Sequence, residues 1–211
     1  MSGDDDPADG DVDDDADERT ARRADAPGGE SFHPGDDRLL LDAMLGKLAT
    51  HLRMCGYDTA YVESEAEPPE ILEGSDAQDS LEETEAPDPD DAIRERATIE
   101  SRTLLTRDRE LARATPGAVL LTERQIEEQL RELASAGFVL ELSERPERCG
   151  ICNTALVAVG AEETSPDYAP DPAAVDCWRC PDCGQFFWRG SHWADVAETL
   201  ATVRRSGDTD Q

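Results

Sequence analysis

The stretch RLLLDAMLGKLATHLRMCG, residues 38–56, decides the fold. Arg38-Leu39-Leu40-Leu41 is an apolar run too short for a helix and bounded by Asp42, so it reads as a buried strand. From Ala43 to Cys55 apolar side chains recur at Leu45, Leu48, Ala49 and Leu52, the spacing of one helical face, and Gly56 supplies the stop. Asp58–Val62 follows as a second strand. Downstream the pattern repeats: a helix from Asp90 to about Ser101, a strand over Arg102–Thr106, a helix over Arg109–Ala114 ending near Pro116-Gly117, and a strand over Ala118–Leu121. Thr122-Glu123-Arg124-Gln125 has the form of a capping box opening a helix with Ile126, Leu130 and Leu133 on its apolar face. Val139-Leu140-Glu141-Leu142 offers one more strand. Alternating strands and helices predict an α/β fold, a small open parallel sheet covered by helices, with ligands beyond the carboxyl ends of the strands.

The 211 residues carry 50 Asp+Glu against 20 Lys+Arg, a net charge of -30, which excludes a generally basic protein that coats nucleic acid. The charge is unevenly spread. Residues 1–37 hold 14 acids and 3 bases, and residues 63–91 hold 13 acids and no base. Without apolar surface to offset the entropy of ordering, 1–37 is expected to be a disordered acidic tail and 63–89, with four prolines, a solvated acidic insertion. Residues 206–211 form a second expected tail. Lys47 is the only lysine, and the acid-rich, lysine-poor surface suits a halophilic protein, in which molar salt screens repulsion within about 3 Å. No apolar run approaches the roughly 18 residues that cross a bilayer. The opening MSGDDDPADG lacks the basic and apolar regions of a secretory signal. The expectation is a cytoplasmic protein without a membrane partner.

Asp42 and Asp108 stand just after strands, on one edge of a parallel sheet, and Asp90 and Asp91 open the helix that leads into the strand before Asp108. Carboxylates converging there repel one another unless a divalent cation neutralises them, and hard oxygen donors suit Mg²⁺ or Mn²⁺. Such ions catalyse phosphodiester hydrolysis. The same spacing also fits a plainer arrangement, with Asp42 and Asp90 as helix caps and Asp108 as a solvated turn residue. Arg53, Arg107 and Arg109 flank the acids; their guanidinium forks suit phosphate oxygens, or equally pair with surface carboxylates. Thr106 either serves the metal site or simply ends a strand.

Five of six cysteines lie between residues 149 and 183. Without a secretion signal disulfides are not the default, and the two CxxC knuckles Cys149-Cys152 and Cys180-Cys183 suit a structural tetrahedral Zn²⁺. Cys177-Trp178-Arg179-Cys180 is itself a CxxC, but Pro181-Asp182 within the later pair and Gly184 after it favour Cys180 and Cys183. Cys177 is then a buried free thiol and Cys55 a core residue. The 27 residues between the knuckles accommodate an acidic, Pro-rich loop over Glu162–Ala174. Residues 144–205 thus read as a zinc ribbon with a C-terminal helix, apolar at Val196, Leu200 and Val203, that depends on its metal to fold. Within Phe186–Trp193, Trp188 can stack on bases, Arg189 can meet a phosphate and His192 can contact RNA or transfer a proton. The alternative is that these side chains form the ribbon's own small core.

The run Leu41-Asp42-Ala43-Met44-Leu45-Gly46-Lys47-Leu48-Ala49, continuing through Leu52–Thr59, together with Arg102–Leu111, resembles the Mut-seven-C RNase family. That family is described as a PIN-like nuclease domain fused to a C-terminal zinc ribbon. The resemblance covers 38–62, 90–142 and the cysteine region, and implies a PIN-like nuclease domain over 38–143. It implies Asp42, Asp90 and Asp108 as catalytic residues holding Mg²⁺ or Mn²⁺, with Asp88 and Asp91 competing for the place of Asp90. It also carries the knuckle pair Cys180-Cys183 and an aromatic-Gly-Ser-His motif like Trp188-Arg189-Gly190-Ser191-His192. The function implied is a metal-dependent ribonuclease whose zinc ribbon positions RNA. A non-catalytic RNA- or ribosome-binding zinc-ribbon adaptor is the alternative, and a toxin-type nuclease restrained by a partner a third.

Overall fold

The computed structural model describes residues 31–62 and 88–207. The expected tail over 1–30, most of the acidic insertion (63–87) and the last residues, 208–211, lie outside the described residues.

The chain enters as β1 (Arg38–Leu41), passes through a 3-10 turn (Ala43–Leu45) into α1 (Gly46–Met54), and returns as β2 (Asp58–Tyr61). Gly56 ends α1 with φ +92, and the amides of Gly56 and Tyr57 bond back to the carbonyls of Arg53 and Leu52 at 3.0 Å each, a left-handed helix stop. Then follow α2 (Pro89–Ile99), β3 (Thr103–Thr106), α3 (Arg109–Ala114), β4 (Val119–Leu120) and α4 (Ile126–Ser135). The four strands are parallel in the order β2-β1-β3-β4. Leu39, Leu40, Leu41, Leu104 and Leu105 are buried, and this near-continuous apolar character is what a sheet covered on both faces requires. Leu39, Leu41 and Leu105 pack with Leu45, Leu48, Leu52, Leu130 and Leu133 on one face, while Leu40 and Leu104 meet Ala97 and Leu111 on the other.

Several expectations are corrected. Phe32, within the stretch assigned to the disordered acidic tail, is buried: it stacks on Phe138 with ring centroids 4.1 Å apart, and the Tyr57 hydroxyl donates to the Phe32 carbonyl at 2.6 Å. A single aromatic was enough to anchor that end. The insertion expected to run to residue 89 stops one residue sooner, because Asp88 caps α2 and Pro89 begins it. The Thr122–Gln125 capping box does not form. Gln125 precedes α4 without a side-chain cap, and the Thr122 amide and hydroxyl bond the carboxylate of Glu132, in the second turn of α4. Val139–Leu142 is not a strand; only a bridge between Phe32 and Phe138 pairs there.

The cysteine region holds a three-stranded antiparallel sheet, β5 (Val157–Ala158), β6 (Trp178–Arg179) and β7 (Phe186–Phe187), in that order. It leads into α5 (Ser191–Gly207). Sequence reasoning grouped this helix with the cysteines, yet Val196, Leu200 and Val203 are buried in the same cluster as Leu130 and Leu133, so α5 packs on the core of the parallel sheet. Among the described residues no helix is long and apolar enough to cross a membrane.

Candidate functional site

Because the four strands are parallel, Asp42 after β1 and Asp108 after β3 emerge at one edge of the sheet. Asp42 is buried, with its Oδ1 accepting the Met44 amide at 3.0 Å and its Oδ2 accepting both the Thr106 hydroxyl and the Arg107 amide, the latter at 3.1 Å. The fully buried Thr106 hydroxyl also accepts the Asp108 amide at 2.9 Å, so one side chain links the two acids. Asp108 caps α3, its Oδ1 taking the amides of Glu110 and Leu111 at 2.7 and 2.9 Å, which leaves Oδ2 unengaged by these bonds. Capping, expected as an alternative for Asp42, is therefore real, and Asp108 is a cap and not a turn residue. It engages one oxygen of Asp108 and one of Asp42.

At the start of α2 the cap is Asp88, whose carboxylate takes the Asp90 amide at 3.0 Å, and Asp91 pairs with Arg94 at 2.6 Å. Asp90, expected as a possible cap, lies inside the helix. Burial, then the carboxylates of Asp108, Asp88, Asp91 and Glu110, raise its pKa from its ordinary value. Asp90 and Asp108 thus share one field. The acids do not close into a compact set: the only group of three or more His, Cys, Asp or Glu ligand atoms lying mutually close among the described residues is made of cysteines. The Arg107 main-chain amide reaches Asp42, its side-chain Nε is buried with no hydrogen-bond partner among the described residues, and Arg109 is exposed on the first turn of α3.

That cysteine group is Cys149, Cys152, Cys180 and Cys183, with ligand atoms all within 4.8 Å of one another. The sulfurs of Cys149 and Cys183 are 3.6 Å apart and those of Cys152 and Cys180 3.4 Å. Tetrahedral Zn²⁺ with Zn–S near 2.3 Å sets sulfurs about 3.8 Å apart, so the four thiols can bind zinc with little movement. The amides of Ile151, Cys152 and Cys183 point at knuckle sulfurs, at 3.4, 3.5 and 3.5 Å, where they would stabilise thiolate charge. Cys177 is outside the group, its buried sulfur 3.9 Å from the Pro170 carbonyl. Cys55 is in the core, and burial pushes its thiol up to about 12.

The cysteine module meets the parallel sheet at the amino end of its strands, opposite the acids. Asn153, held at φ +70 directly after the first knuckle, accepts the Thr59 amide at 3.0 Å and donates to Asp58 at 2.7 Å. Asp58 also receives Arg102 at 2.8 Å and Arg38 at 3.3 Å. Burial opposes ionisation of Asp58, but the bonds from Arg102 and Asn153 prevail and bring its pKa down to about 2. Arg53, expected to contact RNA, is buried, with Nε donating to the Thr59 carbonyl at 2.9 Å and Nη1 to the carbonyls of Gly150 and Ile151 at 2.9 and 3.0 Å. It ties β2 to the first knuckle and is not presented to a ligand. Sequence reasoning missed the Asp58 cluster; an Asn directly after a CxxC, a residue that tolerates positive φ, was the available signal.

Between α1, the first knuckle and the start of α5 lies a cleft of about 240 Å³, lined among others by Thr50, Phe187, Trp188, His192 and Trp193. Trp188 and His192 are both there, Trp188 half-buried and His192 exposed, whereas Arg189 points to the Glu144 carbonyl at 3.3 Å. No sequence signal placed these side chains against α1.

No curated protein and no solved structure matches the chain. The family model described as the Mut7-C RNAse domain matches residues 37–200, a span that takes in the acid edge, the four thiols and most of α5, and the chain therefore belongs to the Mut7-C RNAse domain family.

Proposed function

We propose that the protein is a Mg²⁺- or Mn²⁺-dependent ribonuclease of PIN-like type, with Asp42, Asp90 and Asp108 as its metal-holding acids and a zinc ribbon that helps to hold the RNA. The observation that carries this is the single hydroxyl of Thr106, which fixes Asp42 and positions the Asp108 main chain at the carboxyl edge of a parallel sheet, the place where α/β folds present ligands. Asp90 is favoured over Asp88 and Asp91 because, after burial, the Asp108 carboxylate acts on it, while Asp88 caps α2 and Asp91 pairs with Arg94. The donor set is all oxygen, and repulsion among these carboxylates falls when a hard cation joins them. When bound, such an ion polarises the scissile phosphate and lowers the pKa of an attacking water.

The remaining parts follow from this chain's own residues. Thr106 holds Asp42 Oδ2 in place and donates to it, so the carboxylate is oriented before any ligand arrives. The buried Arg107 Nε lacks an acceptor, and a phosphate oxygen at this edge would satisfy it with a charge-assisted bond. Arg109, exposed one residue after Asp108, can draw the RNA backbone towards the acids in an otherwise acidic chain. The Cys149–Cys183 centre is structural, since four thiolates leave tetrahedral zinc no open position.

The reading is tested by incubating the zinc-loaded protein with end-labelled single-stranded RNA, with Mn²⁺ and without it. Products that form only with Mn²⁺ are expected. Intact RNA in both arms, from folded protein that retains its zinc, would leave a non-catalytic RNA-binding adaptor as the better description.

A further inference from the structure

We propose that the aromatic cleft beside α1 is a pocket for one unpaired nucleobase of single-stranded RNA, from which the strand runs along α1 to the acid edge. This deepens the ribonuclease reading and rests on it for the choice of RNA as ligand. Three aromatic rings, Phe187, Trp188 and Trp193, line the cleft together with Thr50 and Met54 of α1. At about 240 Å³ the cleft falls below the roughly 300–1,000 Å³ of pockets for drug-sized ligands, a size suited to a single flat ring system. Its tryptophan is held in place. The Trp188 indole lies so close to Gly190 that a Cβ there would stand 2.6 Å from Nε1 and 3.1 Å from Cδ1, so the glycine is what admits this orientation.

Charge selects the occupant. Among the described residues no Asp or Glu lines the cleft, while Arg148, His192 and Gln185 do. His192 and Gln185 supply donors and acceptors for the edge of a base whose faces meet the aromatic rings, and Arg148, which donates to the Asn153 carbonyl at 3.3 Å and lies 3.7 Å from Asp58, adds positive charge. Leading away from the cleft, where Thr50 stands, His51 and Lys47 lie one turn apart on α1, and Lys47 is the only lysine in the sequence. The His51 ring bonds the Lys47 carbonyl through Nδ1 at 2.9 Å, which leaves Nε2 for an outside partner, and His192 is near enough to repel its charge. α1 starts four residues after Asp42 and its nine residues span roughly 13 Å, so a strand anchored in the cleft reaches the acids within a few nucleotides. A paired base cannot enter without leaving its stack, so the cleft discriminates against duplex.

The test is fluorescence anisotropy of a labelled single-stranded RNA of about 12 nucleotides, and of the same strand annealed to its complement. The protein is full-length and zinc-loaded, at one fixed salt concentration and without Mg²⁺ or Mn²⁺, so the readout is independent of cleavage. Two variants are compared with the wild type: Trp188→Ala, which removes a wall, and Thr50→Trp, which fills the cleft from α1 without changing a residue of the cysteine module. Wild type is expected to prefer the single strand, and each folded variant to bind it about 5- to 150-fold more weakly, the loss of one stacked base. Single-strand affinity unchanged within about twofold in a folded Thr50→Trp protein, or equal binding of duplex by the wild type, would overturn the proposal. A protein that binds through the cleft yet never cleaves with Mn²⁺ would refute the nuclease reading alone; one that cleaves but ignores both substitutions would refute the pocket alone.

Discussion

Arg53→Leu should release the cysteine module from the parallel sheet. The guanidinium is 6% exposed and makes three hydrogen bonds to main-chain carbonyls, one on β2 and two on the first knuckle. Bonds to a charged group contribute about 1.5–3 kcal/mol each, so their gross sum lies near 4–9 kcal/mol. Against that stands the cost of taking a guanidinium out of water, several kcal/mol, visible here as burial lowering its pKa. Leucine avoids that cost but leaves the Thr59, Gly150 and Ile151 carbonyls without their donor. The net loss should be about 3 kcal/mol, which at a urea slope of about 2 kcal/mol/M moves the midpoint down by about 1.5 M. All three tryptophans, Trp178, Trp188 and Trp193, lie in or just after the module, so their fluorescence follows the module while far-UV circular dichroism follows the helices and sheet. With zinc in excess, the fluorescence transition of Arg53→Leu should shift furthest and precede the dichroism transition. Arg53→Lys should recover less than half, because one ammonium cannot serve both β2 and the knuckle. Fluorescence and dichroism midpoints both within about 0.3 M of the wild type would refute the argument.

Other outcomes follow from the same contacts. Thr106→Val, which keeps the shape but removes the hydroxyl shared by Asp42 and Asp108, should cost about 1–3 kcal/mol and reduce Mn²⁺-dependent cleavage at least tenfold, with Thr106→Ser restoring most of both; thermal melts and initial rates measure it. Asp58, with its folded pKa brought down to about 2, stabilises the fold above the ordinary carboxylate pKa, and that contribution is lost as pH falls from about 4 through 2. The stability gap between wild type and Asp58→Asn should therefore narrow across that window, and taking the difference separates Asp58 from the common loss of thiolate ligands. Chelation of zinc should collapse the three-stranded sheet and shift tryptophan emission to the red, with most of the helical dichroism retained, since α5 packs on the other core.

Much of the fold was legible because the signals were local. Leu39-Leu40-Leu41 and Leu104-Leu105 are short apolar runs that a doubly covered parallel strand needs, and the helix over Arg109–Ala114 falls between an Asp cap and a Pro-Gly turn. Where local chemistry competed with distant partners, the reading failed. Thr122 looked like half of a capping box, but Glu132 lies within reach in space and takes its hydroxyl. Arg53 looked like a phosphate contact because it follows the acid motif, yet its partners lie nearly a hundred residues on, at Gly150 and Ile151. Phe32 sits in acidic sequence that cannot form a core, and is ordered only because Phe138 offers a ring to stack on. Spacing put Asp42 and Asp108 on one edge, but not the Thr106 hydroxyl between them, since a strand-terminal threonine carries no signature of a shared partner.

Two acids at opposite ends of the same sheet provide the most direct test of the central claim. Asp108 stands at the carboxyl edge and Asp58 at the amino edge, beside the cysteine module. Asp108→Asn and Asp58→Asn should be compared with wild type for cleavage of single-stranded RNA across a Mn²⁺ titration, each with its zinc content and fold verified. The account predicts that Asp108→Asn loses at least about a hundredfold in rate, about 2.7 kcal/mol of transition-state stabilisation, with its fold intact, while Asp58→Asn is less stable but cleaves at the wild-type rate wherever it is folded. Wild-type cleavage by Asp108→Asn would contradict it and remove the carboxyl edge as the seat of the chemistry.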